Sequence, residues 1–281
     1  MPKVSVILPV YNEETRVATA IMSILNQTYT DFEFLIINDC SQDNTETVIR
    51  SFRDKRIHLI NNENNLGVIR SSNKGIFSAV GKYIARIDAD DFSLPTRLEK
   101  QVHFLDQNPE VAVLGTAVYH NDNMRNEKFI RIPPQKDRHI KYEMVKYVPL
   151  EHSSVMVRAK VLQDFGGYDE NYGAVEDLEL WTRIGKKYQF ANLSEPLVVR
   201  NIRPNSYWHT NYNELVRQMK FAKVAKLAIF SFSLPKLYYF YVWTKVFYGL
   251  APNQVKRLAR KILSKSQEIK INSVPSLPKL H

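Results

Sequence analysis

Three carboxylates close the apolar run Lys82-Tyr83-Ile84-Ala85-Arg86-Ile87, in the order Asp88-Ala89-Asp90-Asp91. Crowded acids repel one another and raise each other's proton affinity unless a cation neutralises them, and their hard oxygens suit Mg²⁺ or Mn²⁺. A divalent cation carrying a diphosphate is one reading of this cluster. The other is a solvated loop in which Asp91 helps start the helix suggested by Leu94-Pro95-Thr96-Arg97-Leu98, because Asp-x-Asp alone is a short signal. A second acidic pair, Glu176-Asp177, opens a helical stretch running to about Tyr188. Beside Glu176, a partly buried Asp177 would hold its proton more tightly and approach the strength of a useful general base. Acids also favour the positive end of a helix, and standing alone the pair reads better as a helix N-terminus.

The elements that must position these acids alternate. Strand-like runs near Val4–Pro9, Phe32–Asn38, Ile57–Asn61, Tyr83–Asp88 and Val111–Gly115 are continuously apolar, as in a sheet covered on both faces. Helices fit between them near Val17–Asn26, Thr45–Phe52, Ser71–Ala79 and Pro95–Asn108. This rhythm predicts an α/β fold with a Rossmann-like, mostly parallel central sheet. Ligands of such sheets bind beyond the carboxyl ends of the strands, where Pro9-Val10-Tyr11-Asn12, Asn38-Asp39 and Asp88-Ala89-Asp90 all fall. The second half is less regular, with a strand at Ser153–Arg158, a turn at Gly166-Gly167-Tyr168, a helix from about Asp177, and extended segments near Gln189–Asn192 and Leu197–Ile202. The segment around Tyr119–Leu150 is read as irregular.

A chain of 281 residues can bury a sizeable core. The single cysteine, Cys40, has no partner for an internal disulfide or a cysteine-based zinc site, which fits a reducing compartment. No apolar signal region precedes Val4, so the active part is expected to face the cytoplasm.

The net charge of +10 resembles a nucleic-acid signal until it is divided along the chain. Residues 211–281 hold 13 Lys and Arg against Glu214 and Glu268, a balance of +11, leaving 26 basic and 27 acidic residues elsewhere. A nearly neutral body with a basic tail points to an anionic partner for the tail, with no recognised nucleic-acid motif near the strand-end cleft. The aromatic run Leu237–Trp243 is broken at Pro235 and flanked by lysines, far short of the roughly 20 apolar residues a spanning helix needs. From Val255 to Lys265, apolar and basic residues fall on opposite sides of a helix. Two readings fit: peripheral attachment to an anionic membrane surface, or aromatics covering the body while the charges face water.

Taken together, five segments resemble the family 2 glycosyltransferases, inverting enzymes of the GT-A fold. They are Val4-Ser-Val-Ile-Leu-Pro-Val-Tyr-Asn-Glu13, Asn38-Asp-Cys-Ser-Gln-Asp-Asn-Thr45, Asn65-Leu-Gly67, Gly81–Asp91 and Glu176-Asp-Leu-Glu-Leu-Trp181, and the resemblance runs from Val4 to about Ser206. It implies a glycosyltransferase domain over 1–210, with a nucleotide-binding half (1–115) and an acceptor-binding half (116–210), followed by a helical tail (211–281). By the same resemblance, Pro9, Tyr11 and Glu13 line the base and ribose, and Asp39 accepts the uracil imide proton, a charge-assisted contact. Asp90 becomes the principal metal ligand, Asp88 a ribose or second metal contact, and Mn²⁺ or Mg²⁺ the cofactor. Asp177 is the catalytic base, with Glu176 beside it. Trp181 would stack on a sugar or belong to the core. His152 becomes an acceptor-side contact and His209 a late metal ligand, although both also read as ordinary histidines.

Three departures bear on the expected function. Where the family commonly has Asp-Asp-Gly-Ser, this chain has Asn38-Asp39-Cys40-Ser41, with one carboxylate fewer and no glycine. Ser72 stands where many members carry Arg, so Arg70 is the candidate for that phosphate or base contact. The Gln-x-x-Arg-Trp signature of processive synthases is absent, which points to one sugar per encounter. The resemblance thus implies single-sugar transfer from a nucleotide diphosphate sugar, UDP-linked, to a saccharide or lipid-linked saccharide, with a catalytically silent nucleotide-sugar-binding protein as the alternative.

Overall fold

The computed structural model describes residues 1–204, 212–251, 255 and 268–275. Its centre is one sheet in the order β10-β7-β6-β8-β4-β1-β2-β3, with β9 pairing both β6 and β5. Strands β1 (Val4–Val10), β2 (Phe32–Asn38), β3 (Ile57–Asn61) and β4 (Tyr83–Arg86) run parallel, joined by helices α1 (Val17–Leu25), α2 (Thr45–Ser51) and α3 (Val68–Ser78). After the two-residue β5 (Phe92–Ser93) come α4 (Arg97–Gln107) and β6 (Val111–Asp122). Strand β8 (Met156–Arg158) lies antiparallel between β4 and β6, so β6 keeps the direction of β4 without touching it. The GT-A fold expected from the sequence is the fold found, with its mixed half on the β6 side.

Alternation along the strands explains the two-faced burial. Val4, Val6 and Leu8 of β1 pack with Phe34 and Ile36 against Ile21 and Leu98 on one face, while Ile7, Leu35 and Ile37 pack with Ile69 and Ile76 on the other. Each fully buried aliphatic side chain contributes about 1.5–3 kcal/mol. Stability therefore resides in the sheet, and the strand ends are left to polar work. On the second face α3 comes so close that a Cβ on Gly75 would lie 2.6 Å from Ile7 Cγ2.

The region read as irregular is ordered. Strand β6 continues to Asp122 and turns into β7 (Glu127–Arg131), and α5 (Asp137–Glu143) follows. The expected strand from Ser153 is only β8, because His152–Ser154 form a 3₁₀ turn whose hydroxyls bond elsewhere. Next come α6 (Ala159–Asp164) and α7 (Glu176–Ile184). The two extended segments after α7 are one strand, β9 (Gln189–Ile202), parallel to β6 with register irregularities at Thr116–Val118.

In the tail, α8 (Glu214–Ser231) buries Ala222, Val224, Ala225, Ala228 and Ile229, and Val224 joins the core that holds α7. Helix α9 (Tyr239–Leu250) packs back with Val242 buried beside these residues, and β10 (Glu268–Lys270) adds an antiparallel strand to β7. Phe240, Trp243, Phe247 and Leu250, spaced along one side of α9, are each more than half exposed. No helix among the described residues is long and apolar enough to cross a membrane. The amphipathic stretch expected at Val255–Lys265 lies, apart from Val255, outside the described residues, as does His209.

Candidate active site

The turns that leave β1 and β2 interlock. Asn12 N donates to Ser41 Oγ (3.0 Å), Gln42 N donates to Asn12 Oδ1 (2.8 Å), and Glu13 N donates to Thr45 Oγ1 (2.8 Å). Asn12 (φ 52°) and Cys40 (φ 62°) are both left-handed. Cys40 thus takes the conformation for which the family's glycine is suited, and strain of this kind, of order 1–3 kcal/mol, gathers where function over-determines the backbone. Pro9 is buried near the end of β1 and Tyr11, just beyond it, is exposed.

Asp39 does not cap α2, whose first turn is served by Asp43 accepting from Thr45 N (3.0 Å). Instead its buried carboxylate accepts from Asn62 Nδ2 (2.8 Å) and Leu66 N (2.9 Å) on Oδ1, and from Gly67 N (2.8 Å) on Oδ2. A carboxylate offers about four lone-pair directions, so one remains for a ligand's N–H. Gly67, at φ 84°, makes the turn that brings both backbone donors onto Asp39. Arg70, the expected nucleotide contact, is held in an exposed ion pair with Glu170 (2.7 Å).

Beyond β4 the three aspartates point to different partners. Asp88 lies 2.7 Å from Arg86 Nη1 and accepts from Ser153 Oγ (2.6 Å). Burial alone would raise its pKa, but the charge of Arg86, helped by the hydrogen bond from Ser153, brings it down to about 2. Asp90 is pushed the other way, by burial and then by the charge of Asp88, against the pull of Arg203. Asp91 does not start α4, which begins at Arg97 after Thr96; its buried Oδ1 accepts from Asn201 N (2.9 Å) and ties the cluster to β9. Burial, then the charges of Asp90 and Asp88, raise its proton affinity strongly.

Opposite them, α7 begins at Glu176 just after Ala174, another left-handed residue (φ 79°). Asp177 Oδ1 accepts from Leu178 N (2.7 Å). Burial, then the neighbouring charge of Glu176, raise the Asp177 pKa to about 7. Glu176 is raised by burial too, and Asp88 is near enough to add to that rise. His152 Nε2 lies 2.6 Å from Tyr168 Oη, and burial, then Arg86, keep the imidazole neutral.

Trp181 is a correction. Its indole is fully buried in the core, edge-on to Tyr168 with ring centroids 6.5 Å apart, and has no face to offer a sugar. Helix α7 turns this position inward, while the acids at its start are only partly buried.

Among the described residues no group of three or more His, Cys, Asp or Glu side chains converges as a metal cage. Asp88 and Asp90 nevertheless supply hard oxygens, and a guanidinium stands in for a cation at Asp90. Arg203, after β9, places Nη2 2.6 Å from Asp90 Oδ2 and 2.6 Å from Glu13 Oε1. The donor set suits a divalent cation whose other positions are filled by ligand oxygens and water.

Sequence reasoning missed the basic residues that organise these acids. Arg97 is wholly buried and donates to Arg86 O (2.8 Å), Val155 O (3.1 Å) and Ser93 Oγ (2.8 Å), fixing the backbone from which Asp88 departs. Arg200 Nη1 bonds the buried Glu151 (2.7 Å), and its charge reaches Asp91, Asp88 and Asp90. Arg86 carried a readable signal, a charge inside an otherwise apolar strand. Arg203 carried none.

A Rossmann-like sheet whose strand ends hold an Asp-x-Asp pair, with a second acidic pair close enough for Asp88 and Glu176 to feel each other's charge, defines a glycosyltransferase of the GT-A type. The family model described as glycosyl transferase family 2 matches residues 5–166, more than half of the chain, and the protein belongs to that family. It is 38% identical over 225 residues to an uncharacterized glycosyltransferase of Methanocaldococcus jannaschii, covering 78% of this chain and 76% of that one. It is 30% identical over 217 residues to the Escherichia coli UDP-Glc:alpha-D-GlcNAc-diphosphoundecaprenol beta-1,3-glucosyltransferase WfgD, covering 76% and 83%. Among solved structures, Staphylococcus aureus TarS 1–349 with UDP-GlcNAc superposes with a TM-score of 0.65 at 19% identity, covering 92% of this chain and 74% of that one. The mannosyltransferase PcManGT of Pyrobaculum calidifontis, with GDP-Man and Mn²⁺, gives 0.60 at 16% identity, covering 93% and 79%.

Proposed function

We propose that this glycosyltransferase is inverting and moves one sugar from a UDP-sugar to a hydroxyl of a saccharide or lipid-linked saccharide, in polysaccharide or glycoconjugate biosynthesis. The observation that carries the proposal is that the charge of Arg86 acts both on Asp88, at the end of β4, and on a proton-retaining Asp177 at the start of α7, whose neighbour Glu176 is close enough to feel Asp88. Residues 1–115 serve the donor and 116–210 the acceptor. Pro9, Tyr11, Glu13 and Asp39 hold base and ribose, with Arg70 in reach of the same nucleotide once it leaves Glu170. Asp90, with Asp88, would hold Mn²⁺ or Mg²⁺, and that cation supplies electrostatic stabilisation to the departing diphosphate. His209 is assigned to the same cation from the sequence alone. Asp177 takes the proton of the acceptor hydroxyl as its oxygen bonds the anomeric carbon. The bond from that carbon to the diphosphate oxygen breaks on the opposite face, its electron pair leaving with the nucleotide. Glu176 keeps Asp177 basic, and His152 with Tyr168 bounds the acceptor side.

Support for the donor comes from two relatives, one named for UDP-Glc and a lipid-linked acceptor and one bound to UDP-GlcNAc. Because another neighbour holds GDP-Man with Mn²⁺, the deciding experiment is calorimetric titration with UDP and GDP, each with Mn²⁺ and with the metal chelated. Metal-dependent binding of UDP in preference to GDP is expected. Preference for GDP would overturn the uridine assignment, and binding of neither would overturn the donor site.

The proposal places the enzyme in the cytoplasm, peripheral on an anionic membrane surface through residues 211–281. The supporting observation is the exposed row Phe240, Trp243, Phe247 and Leu250 within a tail of net charge +11. Salt-sensitive sedimentation with anionic vesicles, absent with neutral ones and weakened by Phe240→Ser with Phe247→Ser, is expected. Binding to duplex DNA instead would restore the nucleic-acid reading.

A further inference from the structure

The contact between Arg203 and Asp90 poses a question that the proposed reaction does not answer. Arg203 approaches Asp90 Oδ2 with both Nε (2.9 Å) and Nη2 (2.6 Å), and the same Nη2 reaches Glu13 Oε1 at 2.6 Å. Its side chain is 15% exposed, so the pair is shielded from water. Two residues earlier, Asn201 is clamped: its Nδ2 donates to Asp90 O (2.7 Å) and its backbone N to Asp91 Oδ1 (2.9 Å). The strand end is therefore fixed at Asn201, while the Arg203 side chain, among the described residues, is held by two carboxylates. One of them is the expected cation ligand and the other belongs to the expected nucleotide wall.

Asp90 Oδ2 cannot offer itself to a divalent cation while a guanidinium occupies it, and two positive groups at that spacing repel. The planar fork of Arg is equally suited to phosphate oxygens. We infer that Arg203 and the cation exchange at Asp90. Without ligand, Arg203 neutralises Asp90. When cation and nucleotide diphosphate arrive, the cation takes Asp90 and the released Arg203 turns from Glu13's side to the diphosphate. The inference rests on the proposed role of Asp90. It makes cation and nucleotide binding cooperative through a protein side chain, because each ligand relieves a contact that the other would otherwise oppose.

The exchange predicts opposite signs for two affinities in one variant. In Arg203→Ala, Mn²⁺ alone, followed by the electron paramagnetic resonance of the free ion, should bind about tenfold more tightly than in the wild type, its competitor having gone. UDP binding at saturating Mn²⁺, measured by calorimetry, should weaken by about tenfold. Arg203→Lys, whose single ammonium cannot fork, should move both affinities the same ways by less and guards against a folding defect in the alanine variant. Mn²⁺ binding that is unchanged or weaker in both variants, with wild-type metal-dependent UDP binding intact, overturns the exchange and leaves Asp90 as ligand. A wild-type protein that binds no Mn²⁺ with or without UDP overturns the Asp90 reading and the exchange with it.

Discussion

Asp177→Asn is expected to lower sugar transfer by about 10³-fold while leaving the affinity for UDP with Mn²⁺ unchanged, because the amide keeps the shape and loses the base. In the wild type, kcat/KM should climb as pH rises toward about 7 and level off above it, since the base must be ionised to accept a proton and burial holds its pKa near that value. The residual activity of the variant should lack this limb. Stability supplies an independent readout with a definite sign. The folded state raises the Asp177 pKa, so its contribution to stability is complete below the ordinary carboxylate range and is lost as pH rises through about 7. Asp177→Asn should therefore unfold at a higher temperature than the wild type at pH 8 and at a similar one near pH 3. Transfer at the wild-type rate would remove Asp177 as base. Wild-type protein that binds UDP-sugars yet transfers none, across a range of acceptors, would favour the catalytically silent alternative.

Asp90→Ala should abolish the metal-dependent part of nucleotide binding. The variant's affinity for UDP with Mn²⁺ should fall, by about 100-fold, to that of the wild type with the metal chelated. Asp88 by itself is not expected to hold the ion, because Arg86 and Ser153 share its carboxylate. Calorimetry at matched salt checks this, and persistence of the Mn²⁺ effect would transfer the ligand role to Asp88. Thermal stability should not fall with the affinity: Asp90 is a buried acid burdened by Asp88, and Arg203 keeps its bond to Glu13 when Asp90 is removed.

How far the sequence could be read depended on whether a residue's partners were local. Strands β2 and β3 span the residues expected: β2 is a mostly apolar run buried on both faces, and the partly exposed edge strand β3 still carries Ile57, Leu59 and Ile60. Asp39 was placed at the right strand end for the same reason, but its three donors come from Asn62, Leu66 and Gly67, whose approach depends on where α3 lies. The extension of β6 and its hairpin was hidden by polar residues on the strand, among them the buried His120 and Asp122. Trp181 was ambiguous because periodicity places a residue on a helix face without saying what covers that face. Asp91 looked like a helix start because Thr96, the residue that precedes α4, carries no stronger local signal. Arg203 was invisible for the plainest reason: it meets Glu13 across almost the whole catalytic chain. Long-range ion pairs belong to the tertiary fold and leave no spacing to read.

Strand β10 pairs with β7, and Arg131 there bonds both Glu268 (2.9 Å) and Glu151 (3.0 Å), the buried acid that also holds Arg200. The tail is thus fastened to the body at two described places, α9 through Val242 and β10 through β7. An anchor fastened in this way differs from a free arm: a surface that grips the exposed side of α9 is set at a fixed attitude to the cleft as well as at a fixed distance. For a bilayer-borne acceptor, such a mooring would decide which way the cleft faces before any sugar is recognised.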